Sequence, residues 1–231
     1  MKSDYSISVI TPVYNEAQLL ESGVDRIDRF LREVFRDYEI IIIESGSTDG
    51  SRAICDQIAK GNARIKVIHE GARNGFGSAL KLGYAHADKD LIWLVTVDLP
   101  FPLESVNAAL PLLAGYDCIL SYRCQDNRDS GKKLRSWVFN QLTKCLLGLK
   151  VRHVNSAFKL FKKAVIKGMQ IRSNGWLIDA EIIYRLQKKR IPFTEIPVVL
   201  IDRQGSSSSI TFGDPVYVIK ELLHFAAVKD Q

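Results

Sequence analysis

A carboxylate set where a buried strand runs out can hold a cation or face a charged leaving group, and Asp98 has that setting. Residues 91–97, LIWLVTV, are apolar or β-branched, the composition of a central strand buried on both faces. Asp98 closes the run, and Pro100 and Pro102 forbid further ladder pairing. Open α/β sheets bind ligands at the carboxyl ends of their strands, which makes Asp98 a candidate for chemistry rather than a plain turn residue. Unusual residues also gather at 12–16 (PVYNE), 44–50 (ESGSTDG) and 70–77 (EGARNGFG). Glycines let backbone approach a phosphate closely, and a following helix N-terminus adds favourable partial charge. A dinucleotide site is the rival reading of Gly75-Phe76-Gly77, with Asp98 about twenty residues on. Leu80 at the third glycine position and the placement after a third strand argue against it.

The elements that must position these residues follow from periodicity. Strands are expected at 6–11, 38–43, 64–69 and 91–97, separated by helices from Asn15 as cap to about 35, to about 60, and over 78–88. The order β-α-β-α-β-α-β means an α/β fold, a mostly parallel central sheet with helices on both faces. Its carboxyl-end loops 12–16, 44–50, 70–77 and 98–102 then converge on one edge. The second half is less regular: a helix over 103–114, a strand over 117–122, a charged loop over 123–133 and an amphipathic helix over 134–149. Then come a short strand at 157–161, a helix within 175–189, a strand over 193–201, the loop DRQGSSSS and a last helix begun by Asp214-Pro215. The stripes Leu134, Trp137, Val138, Leu142, Leu146 and Val218, Ile219, Leu222, Leu223, Phe225 are expected to face the core, with a bilayer surface as the alternative. No repeat or linker divides residues 1–231, so one domain is expected, with halves meeting near residue 102.

Composition bounds the partners. The apolar and charged fractions, 46% and 25%, are those of a globular protein, and 32 basic against 26 acidic residues leave a net charge of +6. That charge suits a phosphorylated ligand or an anionic surface, while the lack of a basic-aromatic stretch speaks against nucleic acid. Cys55, Cys118, Cys124 and Cys145 show no CxxC spacing and are expected as free thiols in a reducing compartment. No signal-peptide core or spanning segment is recognisable, so a cytoplasmic chain is expected, peripheral on the cytosolic membrane face.

Taken in order, SVITPVYNE, the acidic STDGS turn, RNGFGSALKLGYAHA and a strand ending in Asp resemble the family 2 glycosyltransferases of GT-A (Rossmann-like) fold. SYR, Arg135, HVNSAFKLFKK, GWLIDAEII and FTEIPVVLIDRQGSSSS are similar to the polyprenyl-phosphate sugar synthases typified by dolichol-phosphate mannose synthase. The resemblance implies that Pro12, Tyr14 and Glu16 lie along base and ribose, Tyr14 with a flat face and Glu16 accepting hydroxyl protons. It places Glu44, with Ser45, where two aspartates usually read the base, and Arg73, Gly75 and Gly77 along the donor. Asp49 reads as a helix cap.

The fourth loop departs from the pattern. The family's DxD and following Gln fall on Thr96, Asp98 and Pro100, leaving Asp98 as the one metal carboxylate. Mg²⁺ or Mn²⁺ use is therefore possible but weakened, with Arg123, Lys132, Lys133 and Arg135 as fixed cations for the leaving diphosphate. Asp98, Arg123 and Arg135 are thus the expected catalytic residues. Arg203, Ser206 and Ser207 fall where the subgroup holds the acceptor phosphate, and His153 reads as structural. The implied reaction is inverting transfer from a GDP- or UDP-linked nucleotide sugar to a polyprenyl phosphate, with a membrane-anchoring partner protein. A soluble acceptor, with Asp179 or Glu181 as base, and a nucleotide-binding member without turnover are the rivals.

Overall fold

In the computed structural model, which describes residues 2–125, 130–201 and 215–228, one sheet carries the site. Its strands are β1 (Ile7–Val13), β2 (Tyr38–Glu44), β3 (Ile65–His69), β4 (Leu91–Leu94), β5 (Cys118–Gln125), β6 (Lys159–Lys162) and β7 (Phe193–Val199). The helices are α1 (Ala17–Val34), α2 (Ser51–Gly61), α3 (Phe76–His86), α4 (Ser105–Ala109), α5 (Ser130–Leu147), α6 (Lys163–Lys167), α7 (Ile178–Lys188) and α8 (Pro215–Val228), with a 3-10 turn at Leu110–Ala114. Strand order is β3-β2-β1-β4-β6-β5-β7. Only β6 runs antiparallel to its neighbours, so β1 to β5 and β7 end on the same edge. This is the expected α/β arrangement.

Alternation along the strands fills two cores. Ile40 and Ile42 join one apolar cluster and Ile41 and Ile43 the other; Leu91 and Trp93 likewise separate from Ile92 and Leu94. Leu20, Val24, Ile27 and Leu31 bring α1 to the first cluster, and Ala79, Leu80 and Tyr84 bring α3 to the second. All four cysteines are free thiols.

Three expectations change. The fourth strand ends at Leu94, because after Val95 N–H bonds the Ile10 carbonyl (3.1 Å) the chain turns out toward Asp98. The charged stretch after β5 becomes helix at Ser130, so α5 starts ahead of the expected position. Its apolar stripe does not face the core: Leu134, Trp137, Val138 and Leu142 are exposed, with Leu146 partly buried. α8 divides, Leu222 and Phe225 inward, Ile219 and Leu223 outward.

Candidate active site at the carboxyl edge of the sheet

The loops after β1 and β2 are laced together. Asn15 N–H donates to Ser47 Oγ (3.1 Å), Thr48 N–H to Asn15 Oδ1 (2.8 Å) and Glu16 N–H to Ser51 Oγ (3.0 Å). Asn15 adopts φ +54° here, a left-handed conformation that Asn tolerates. Asn15 does not cap α1; Asp49 does so from across the cleft, its Oδ2 accepting Ala17 N–H (2.9 Å). Its Oδ1 accepts from Ser51 N–H (3.0 Å) and Oγ (2.6 Å), so one carboxylate fastens two helix starts. Burial opposes its ionisation, but these hydrogen bonds hold the Asp49 carboxyl below the usual carboxylate range.

Glu44, expected to read the base, is fully buried. Its Oε1 accepts Ser47 N–H and its Oε2 pairs with His69 Nδ1 at 2.9 Å, while His69 Nε2 meets Asp56 at 2.9 Å. The pair with Glu44 raises the His69 pKa against the opposing pull of burial, and Asp56 adds to it. Burial works to raise Glu44, yet the Ser47 N–H and His69 bring its pKa below the ordinary value. Both Glu44 oxygens are engaged in shaping the turn. Glu70 does similar work in the third loop, taking hydrogen bonds from Ser45 Oγ (2.7 Å) and Ser78 Oγ.

The glycines of the third loop meet protein rather than open space. A Cβ on Gly75, at φ +106°, would lie 2.4 Å from the Asn174 carbonyl oxygen, and one on Gly77 2.7 Å from that of Ser173. Ser78 N–H donates to Asn174 O (3.0 Å), and Lys81 Nζ reaches Asn174 Oδ1 (2.5 Å) and Arg172 O (3.2 Å). Phe76 stacks on Trp176 at 4.8 Å. The need for glycine is therefore set by backbone-to-backbone contact with residues 172–177. That segment is held in turn by Glu181, which is fully buried and accepts from Arg172 N–H (2.9 Å), Ser173 N–H (2.7 Å) and Arg185 Nε (2.8 Å). From α8, Glu221 accepts the N–H groups of Gly175 and Leu177; burial raises its pKa, which those hydrogen bonds partly offset.

Asp98 is half-buried at the head of the fourth loop. Thr96 Oγ1 donates to Asp98 Oδ1 at 2.5 Å and so orients the carboxylate. The turn is fixed by Leu99 N–H to Thr96 O (3.0 Å), with Leu99 at φ +46°. Phe101 anchors it below, 6.3 Å from Trp93 and 5.7 Å from Phe158, pairs worth roughly 0.5–1.5 kcal/mol each beyond burial. Gly23 of α1 presses against it, since a Cβ there would stand 2.3 Å from the Val97 carbonyl oxygen. Among the described residues no three carboxylate, histidine or cysteine groups cluster as a metal site. Asp98 therefore fits a hard divalent cation only as one ligand among substrate phosphate oxygens. Beyond this turn a groove of about 360 Å³ opens between Arg26, Phe30, Leu99, Phe101 and Ile201.

Side chains that face solvent on this edge include half-buried Pro12, Tyr14 and Glu16 and exposed Arg73. The Arg73 guanidinium covers the Tyr14 ring at 4.2 Å, a cation–π contact. Arg123 stands where β5 shifts register against β7, its N–H donating to His153 Nδ1 (3.1 Å), which gives His153 a structural task. Arg135 is exposed on α5, its Nε donating to Gly131 O (3.3 Å). Both arise on the same edge as Asp98. Arg203, Ser206 and Ser207 lie outside the described residues, as does the Lys132 side chain. Asp179 and Glu181 are both buried. Asp179 is buried against Lys159 Nζ at 3.0 Å, and burial raises its pKa against the pull of that ammonium.

Sequence reasoning missed Gly23 and Glu221, and it named Glu70 and Glu181 without their bracing contacts. Gly23 carried a faint signal, a glycine inside a strongly amphipathic helix. Glu221 acts on Gly175 and Leu177 across a long stretch of chain, which no local pattern marks.

Comparison with known proteins places this geometry. The family model described as glycosyl transferase family 2 matches residues 8–169. The chain is 28% identical over 224 residues to an undecaprenyl-phosphate 4-deoxy-4-formamido-L-arabinose transferase of Erwinia tasmaniensis, covering 94% of this chain and 65% of that protein. It is 26% identical over 204 residues to glycosyltransferase AglD of Haloferax volcanii, covering 83% of this chain and 32% of that protein. The chain thus spans less than two thirds of either relative. A structure of Mycobacterium tuberculosis glucosyl-3-phosphoglycerate synthase with Mn²⁺, UDP and phosphoglyceric acid shares the fold at TM-score 0.73 and 21% identity, over 96% of this chain and 78% of that one. So does mannosyltransferase PcManGT of Pyrobaculum calidifontis with GDP-Man and Mn²⁺, at TM-score 0.67 and 20% identity, over 97% of this chain and 64% of that one. With its GT-A sheet and its converging loops, the chain belongs to glycosyl transferase family 2.

Proposed function

We propose that the chain transfers a sugar from a nucleotide sugar to a polyprenyl phosphate, with inversion, as a peripheral protein on the cytosolic membrane face. The observation that carries this reading is the burial of both candidate bases, Asp179 and Glu181. Asp179 is buried on Lys159, and Glu181 is buried on Arg172, Ser173 and Arg185. An acceptor hydroxyl would want a base there. A phosphate monoester brings an already ionised oxygen and needs none. The similarity to an undecaprenyl-phosphate sugar transferase supports the same acceptor class.

In this reading the acceptor phosphate oxygen attacks the anomeric carbon opposite the leaving group. The bond from that carbon to the diphosphate oxygen breaks, and its electron pair leaves with the nucleoside diphosphate. Tyr14, Glu16 and Arg73 hold base and ribose on the laced first loops, while Pro12 shapes the wall. Arg123 and Arg135 face the developing charge, and Arg203 with Ser206 and Ser207 receives the acceptor phosphate. A bound Mg²⁺ or Mn²⁺ would offset diphosphate charge, with Asp98, oriented by Thr96, as its protein ligand.

The test is nucleoside diphosphate release from UDP- and GDP-sugars, with undecaprenyl phosphate, phosphoglycerate or glycerol as acceptor. Release that depends on the lipid phosphate is expected. Release with a soluble acceptor alone would replace this reading with the soluble-acceptor one. Binding without release under any acceptor would leave a non-catalytic nucleotide-binding protein.

A further inference from the structure

The face of α5 turned to solvent is apolar. Leu134, Trp137, Val138 and Leu142 are 62%, 59%, 48% and 37% exposed, and their spacing puts them on one side of the helix. The sequence of α5 also holds Lys132, Lys133, Arg135 and Lys144 and no acidic residue. Lys133 and Arg135 are exposed on either side of Leu134. α8 packs beside α5 and adds Ile219 and Leu223, 40% and 53% exposed. We propose that this cationic, apolar face of α5 and α8 docks on an anionic phospholipid bilayer.

Two observations choose the bilayer over other occupants. A second copy of the chain would bring two acid-free, multiply basic helices together across a twofold axis, where like charges repel. An anionic lipid surface meets the same charge favourably while the apolar side chains enter the headgroup boundary. Placement agrees. β5 and β7 run parallel, with β6 antiparallel between β4 and β5, so the chain leaves β5 toward α5 on the Asp98 edge. At the end of β7, Val199 and Ile201 are 44% and 55% exposed on that edge too. The apolar surface thus adjoins the mouth through which a lipid-borne phosphate would enter. In this respect the inference rests on the polyprenyl-phosphate reading, but the docking itself does not require turnover.

The test is co-sedimentation of the 231-residue chain with phosphatidylcholine vesicles containing about 30 mol% phosphatidylglycerol. The wild type should sediment, less so without phosphatidylglycerol or in high salt. The double variant Leu134→Glu, Trp137→Glu should lose at least about tenfold in apparent affinity, given the apolar area withdrawn. Both positions are exposed, so its thermal unfolding should match the wild type. In the wild type, brominated acyl chains should quench Trp137 fluorescence, since Trp93 is buried and Trp176 stacks on Phe76. The variant should still turn over a short, soluble isoprenyl phosphate while losing turnover of vesicle-embedded undecaprenyl phosphate. Failure of both acceptors in wild type, with vesicle binding intact, would remove the transfer reading and leave the docking standing. Unquenched Trp137, equal sedimentation of the variant, or a dimer abolished by the substitutions in place of vesicle binding would overturn the docking. Wild type that sediments only with an added membrane protein would overturn it too.

Discussion

The proposed donor edge, which carries Asp98, and the proposed acceptor flank, formed by α5 and α8, use charge in opposite ways. On the donor edge, the carboxylates of Glu44, Asp49 and Glu70 point inward and hold backbone N–H groups, serine hydroxyls and His69. They build a pre-formed cleft from loops with little apolar content of their own. On the acceptor flank, α5 and α8 show solvent both cations and large apolar side chains. The first region is finished by its own hydrogen bonds. The second presents a surface whose partner is not a side chain of the described residues. An acidic residue in a cleft is therefore as much a loop former as a ligand contact, and an amphipathic stripe does not announce which way it turns.

The comparison is broken most severely at its backbone contacts. Gly75→Ala adds a methyl 2.4 Å from the Asn174 oxygen at φ +106°, and a loss of about 2–4 kcal/mol is expected in urea unfolding. A loss within experimental error would mean that residues 172–177 do not brace the donor loop. Glu181→Gln leaves the half-buried Arg185 without its anion and should cost about 2–3 kcal/mol, measured in the same way. Gly23→Ala pushes the Asp98 turn at Val97 and should cost about 1–3 kcal/mol while weakening nucleotide-sugar binding. If binding is unchanged, Asp98 does not touch the donor.

The Glu44–His69 pair gives a pH signature. The folded pKa of His69 is raised above its ordinary 6.5, so its contribution is complete below that value and is lost as pH climbs through the folded one. The folded pKa of Glu44 is lowered below its ordinary 4.5; its contribution is present above that value and fades as pH falls through the folded one. Stability from the pair is therefore greatest in mildly acidic solution, between the two ordinary values. His69→Phe should flatten the decline on the alkaline side, and an unaltered thermal profile from pH 6 to 9 in the variant would contradict the pairing. The smallest effect belongs to Asp49→Ala, which removes a shared cap and should cost about 1 kcal/mol.

Much of the fold was legible because its signals are local. The run EIIII and the apolar stripe of α1 each encode their own element, and strand–helix alternation implies the shared edge. The glycines at 75 and 77 stand out in the sequence, but their contact with Ser173 and Asn174 joins segments about a hundred residues apart, which no spacing reveals. The polarity of Glu44 is visible in the sequence, and the burial of its carboxylate is not. The stripe of α5 has the period of a core helix, and only the packed fold shows that the core is closed by Leu147, Leu149 and Leu222 while Leu134 and Trp137 remain outside.

Calorimetric titration of UDP, GDP and their sugars, with and without Mn²⁺, into wild-type protein and Asp98→Ala bears most directly on the donor site. The account predicts binding of one nucleotide class, strengthened by Mn²⁺ in the wild type and indifferent to Mn²⁺ in the variant, with both proteins equally stable. No nucleotide binding under any condition would contradict it.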